Sequence, residues 1–150
     1  MSLHAASQYI LFRLKARGRH GTHSPFVYRF VDQVLRDEEG NRISFSTQEL
    51  VLRLSSVYGM PMGSNPMLTA TIVLLNSDEE NDWVSVVSAY TSVLSNGFVV
   101  LPSIHQSTKQ TNSWENAKSL TSVSMSIDLY HSGILLSRPE FKEKQHFVLR

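Results

Sequence analysis

Residues 69 to 102 constrain the fold more than any other part of the chain. "TATIVLLN" (69 to 76) is a short apolar run rich in β-branched residues with polar flanks, suited to a strand buried on both faces. "DWVSVVSAYTSVLSNG" (82 to 97) sets Trp83, Val86, Val87, Tyr90, Val93 and Leu94 at helical spacing and ends on Gly97, a helix stop. "FVVLP" (98 to 102) is a second buried run. A strand, a helix of about four turns and another strand, tightly joined, form a βαβ unit and therefore a parallel pair with a right-handed crossover.

The flanks extend this unit on both sides. "AASQYILFRLKAR" (5 to 17) carries Tyr9, Ile10, Phe12 and Leu14 among basic side chains, and Gly18 ends it, which predicts an amphipathic helix. Ser24 and Pro25 then stand as N-cap and first helical residue of a second helix, whose apolar residues run from Phe26 to Leu35. A third helix is expected over 47 to 58, opened by the Ser46/Glu49 capping box. "GMPMGSNPM" (59 to 67) reads as a loop. Downstream come a helix over 108 to 120 with Trp114, a hairpin over 122 to 138 turning near 131 to 133, and a short strand over 145 to 150. The expected fold is α/β. A helical region (1–58), a linker (59–68) and an α/β half (69–150) with a small mixed sheet together make one compact unit.

Composition narrows function by exclusion. At 41% hydrophobic over 150 residues, the chain can bury one core. A net charge of +1 provides no strong field, so nucleic acid is not an expected partner. Arg13, Lys15, Arg17, Arg19 and His20 form a local basic cluster that could contact phosphate. The absence of cysteine rules out disulfides and thiolate chemistry. No run of about 18 apolar residues and no apolar leader are visible, so no membrane partner and a cytoplasmic location are expected.

Three segments carry a family resemblance. "YILFRLKARGRHGTHSPFVYRFVDQVL" resembles the N-terminal signature of a group of bacterial class I S-adenosylmethionine-dependent methyltransferases, with His20, Gly21, His23, Ser24, Pro25 and Phe26 matching its H-G-x-H-S-P-F-V motif. "IHQSTKQTNSWENAK" is similar to the family's segment after the fifth strand, through Ile104, His105 and Trp114. "IDLYHSGILLSRPEFKEKQHFVLR" resembles its terminal hairpin and closing strand, through His146, Phe147 and Arg150. The resemblance implies a Rossmann-like methyltransferase sheet truncated to a parallel βαβ and a C-terminal antiparallel hairpin.

Departures from the family pattern decide the functional expectation. The family's first strand, its acidic Gly-rich turn for the methionine moiety and its ribose-binding acid have no counterpart, as if the loop at 59 to 68 marked an internal deletion. Where the family has an Asp-Asp pair before Ile-His, this chain has Pro102 and Ser103, and the family's preceding strand-end Asp is Asn76. Neither replacement supplies a carboxylate for a cation or a proton.

The resemblance thus implies a degenerate, non-catalytic member acting as an accessory or interaction subunit, with no cofactor, pairing with itself or with a full-length methyltransferase. Two alternatives stay open: an active S-adenosylmethionine-dependent enzyme whose pocket is completed across a homodimer, and an unselected remnant. His20 and His23 lack a third ligand for zinc, so no metal is expected. Candidate small-molecule contacts lie at the carboxyl ends of the two parallel strands. These are His105 and Asp78 for chemistry, and Asn76, Ser77 and Ser103 for cofactor binding.

Overall fold

The computed structural model describes residues 2–17, 23–63, 71–76 and 82–150. Its elements are α1 (Leu3–Lys15), α2 (Pro25–Val34), α3 (Thr47–Tyr58), β1 (Ile72–Leu74), α4 (Trp83–Thr91), β2 (Phe98–Pro102), α5 (Thr108–Lys118), β3 (Met125–Asp128), β4 (Ser132–Leu136) and β5 (Gln145–Val148). The chain is mixed α/β, with a five-stranded sheet ordered β1-β2-β4-β3-β5. β1 and β2 are parallel, β4 runs antiparallel to both β2 and β3, and β5 lies parallel to β3 at the edge.

Local chemistry sets the helix entrances. Ser2 caps α1 by accepting the Ala5 N–H, so the helix begins slightly earlier than its apolar pattern suggests. Ser24 caps α2 with Pro25 at the first helical position, and Ser46 and Glu49 form a complete capping box on α3. Gly59 closes α3 at φ +63°, in the left-handed region that glycine tolerates. Helix α4 stops at Thr91, short of the expected 97. There Thr91 donates its hydroxyl to the Val87 carbonyl and Ser92 donates its own to Ser88, and side chains that bond the backbone in this way weaken a helix's continuation.

The sheet is covered on both faces. Strand β2 alternates: Phe98 and Val100 point to a core built with α2 and α3, while Val99 and Leu101 point to one built with α4 and α5. β4 divides likewise, with Ile134 and Leu136 on the first face and Leu135 on the second. The N-terminal helices are therefore one layer of the sandwich. Trp83 and Trp114, expected in the core, are fully buried on the second face.

Three local readings differ from the structure. The hairpin turn falls at Leu129–His131, because the Asp128 carboxylate accepts the Tyr130 N–H and the Leu129 N–H donates to Ser132. The first strand is confined to Ile72–Leu74, and residues 69 and 70 of the expected run lie outside the described residues. The segment read as a linker also contributes to the sheet. Met62 bridges to Ile72, with the Ile72 N–H donating to Pro61 and the Gly63 N–H donating to Ile72, so the outer edge of β1 is not bare at that position.

Candidate functional site

The parallel strands β1, β2 and β3 all point their carboxyl ends at the same side of the sheet. The chain leaves β2 at Pro102 and enters α5 at Thr108, turning through Ser103 in a left-handed conformation, φ +54°. The Ser103 N–H donates to His131, and the Ser103 carbonyl accepts from Gln106. This turn drops Ile104 into the core and buries His105. Register links the ends of the strands here: Pro102 pairs with Ser132, and Asp128 with Gly133.

His105 thereby reaches Asp128. Its Nε2 lies 2.7 Å from Oδ2, and the other carboxylate oxygen accepts the Tyr130 N–H at 2.8 Å. An ionised carboxylate only accepts, so the shared proton belongs on Nε2 and leaves Nδ1 as the basic atom. His105 is only 6% exposed, and Nδ1 has no hydrogen-bond partner among the described residues. A carboxylate-oriented imidazole with a free second nitrogen can accept or relay a proton.

Tyr130 closes the site from one side. Its ring stacks on His105 at 5.6 Å, and its hydroxyl donates to the Ala5 carbonyl at 2.7 Å. Burial raises its phenol above the ordinary value, with Tyr9 adding to the shift, so the hydroxyl remains a donor. Tyr130 is held at φ +71°, so two non-glycine residues with positive φ, Ser103 and Tyr130, flank one histidine. Such strain persists only where the surroundings enforce it. The resulting cavity, about 540 Å³, is lined by Ser103, His105, Tyr130 and His131 and roofed by Ser2 and Ala5 of α1. His4 fastens that roof through Thr111 at 2.9 Å.

The remaining motif residues gather elsewhere. His23, Ser24 and Pro25, from the start of α2, share a cavity of about 620 Å³ with His146 and Phe147 of β5, so the two ends of the chain's family-like pattern meet there. His146 Nδ1 stands 2.5 Å from Ser126 Oγ, and burial, followed by the charges of Lys118 and Lys144, holds its pKa below the usual imidazole value. Phe26 packs against both Tyr58 and Phe98, and Trp114 packs against Gly133, where an added Cβ would come within 2.5 Å of the indole. Arg150 lies on a different cavity beside Arg13 and Arg42.

Of the residues expected at the strand ends, Ser103 and His105 come together, whereas Asn76 is exposed at the end of β1 and its carbonyl accepts the Trp83 indole N–H. Ser77, Asp78, His20 and Gly21 lie outside the described residues. Asp128 was not among the candidate residues read from the sequence, because it stands 23 positions away and two strands across. Its Asp-Leu-Tyr-His context carries no local sign of that pairing. Among the described residues there is no group of three His, Asp or Glu side chains able to hold a metal, and no helix long and apolar enough to cross a membrane. In comparisons with known proteins, no family model matches the chain, and neither a curated protein nor a solved structure matches it.

Proposed function

We propose that this chain is a shortened member of the class I S-adenosylmethionine-dependent methyltransferase group that acts through its surface as an accessory or interaction subunit. The observation that carries the reading is the place of β1. It is the outermost strand, and Met62, in the connection from α3, bridges to its outer edge at Ile72. That is where the first strands of a cofactor-binding half would have to pair. The order of elements adds support: helices, a parallel βαβ, then an antiparallel hairpin, as the motif resemblance leads one to expect.

The residues at the strand ends do not fit S-adenosylmethionine. Pro102, Ser103 and Asn76 offer no carboxylate for ribose hydroxyls or for a cation, and the Asp128 carboxylate at the end of β3 is engaged by His105 and the Tyr130 N–H. Titration calorimetry with S-adenosylhomocysteine tests the proposal: no heat is expected up to about millimolar ligand, whereas a micromolar dissociation constant, about −8 kcal/mol, would overturn it. Co-purification is then expected to return a stoichiometric protein partner.

The His105–Asp128 pair favours a second reading, an enzyme whose pocket is completed by another copy of the chain. This requires a dimer in sedimentation analysis and transfer of a labelled methyl group to an extract component. The transfer would have to be lost in His105→Gln. A monomer that transfers no label rules this second reading out.

A further inference from the structure

Three arginines from distant parts of the chain line one cavity of about 360 Å³. They are Arg13 of α1, Arg42 of the connection between α2 and α3, and Arg150 beyond β5. None of them is ion-paired with a carboxylate among the described residues, and no acidic side chain among those residues lines the cavity. The concentration is local, because the whole chain carries a net charge of only +1. Gathering like charges in one concavity concentrates positive potential there and favours an anion.

The walls between the arginines are aromatic. Tyr9, Phe45 and Tyr130 line the same space, and the Arg42 guanidinium lies 5.8 Å from the centre of the Phe45 ring. The Arg42 guanidinium, partly covered although the residue is exposed overall, is held below its ordinary pKa by that burial first and by the charge of Arg36 second. The position is well built: Thr47 Oγ1 meets Ser132 Oγ at 2.8 Å, tying the start of α3 to the β3–β4 hairpin, and Tyr130 ties the hairpin to α1. The volume lies at the small end of the range for small-molecule sites, about 300–1,000 Å³.

From this geometry we infer that the cavity between α1, the α2–α3 connection and the β3–β4 hairpin is a binding site for a small phosphate monoester carrying a planar ring, of the size of a nucleoside monophosphate. Guanidinium forks match the oxygens of a phosphate and form charge-assisted bonds to it. The rings of Tyr9 and Phe45 offer apolar surface to the ring of the ligand. The inference does not depend on the methyltransferase reading, since none of the three arginines belongs to the strand-end residues and none lines the cavity that holds His105.

The test is a calorimetric titration of the full chain with uridine 5′-monophosphate, uridine and inorganic phosphate at fixed ionic strength. The monophosphate is expected to bind at submillimolar concentration, at least about tenfold tighter than either half. The double substitution Arg13→Gln, Arg42→Gln is expected to weaken it by about tenfold or more, while Lys142→Gln, outside the cavity, leaves it unchanged. All three side chains are exposed, so the variants should keep the wild-type circular dichroism and melting temperature. Equal binding of the monophosphate, uridine and phosphate would overturn the inference. Equal affinity in the wild-type and double-variant proteins would do the same.

Discussion

The two faces of the sheet are built differently. The face under α2 and α3 combines aliphatic side chains with many phenylalanine and tyrosine rings, Phe30 and Phe98 among them, and runs from Ile72 of β1 through Ile134 of β4 to Ile127 of β3. The face under α4 and α5 is centred on two indoles and reaches only β1, β2 and β4, leaving Ser126 and His146 beyond it. The broader face is the one supplied by the N-terminal helices. Those helices are thus part of what makes the sheet a buried object, while the second face depends on a few large rings and on the glycine that admits one of them.

The largest effects should come from removing one large side chain from each face. Phe30→Ala and Trp114→Ala, both fully buried, are each expected to lose about 3–5 kcal/mol in urea denaturation. A silent Phe30→Ala would break the comparison, since it would make the N-terminal helices an appendage. Gly133→Ala should cost about 1–3 kcal/mol by forcing a methyl group against the Trp114 ring, with no counterpart on the other face.

Ser46→Ala sharpens the same contrast on a smaller scale. Loss of the capping box on α3 should cost about 1 kcal/mol, read as a lowered melting temperature. The smallest effect concerns the margin that α4 and α5 leave open. His146 has its native pKa below the unfolded value of about 6.5, so the folded state resists its protonation. Stability should be full above that value and decline as pH falls through the depressed native pKa, with Lys118 and Lys144 opposing the new charge and Glu115 favouring it. In His146→Asn, that part of the acid-side slope in melting temperature should vanish.

What could be read in the sequence was local. The caps at Ser24 and Ser46, the βαβ unit and the hairpin are signalled by neighbours within a few positions, and all four are found. The placement of β5 beside β3 has no such signal, because an edge strand is chosen by what remains unpaired after the rest of the sheet forms. The candidate site divides in the same way. Ser103 and His105 were legible from their place after a buried strand, but Asp128 became a partner only through strand order. Arg13 stood in a visible basic cluster, while Arg42 and Arg150 join it only in three dimensions.

Tyr130 shows how local and distant demands can collide in one residue. Its backbone, at φ +71°, would rest more easily as glycine, by about 1–3 kcal/mol. Its side chain, however, is the peg on which α1 hangs: Ala5, Tyr9 and Phe12, on successive turns, all meet it. No single amino acid satisfies both, and the chain has kept the peg. A chain that drifted to glycine here would gain a relaxed hairpin and lose its grip on the first helix, so its earliest sign of decay would be an N-terminus that unlatches while the sheet stays whole.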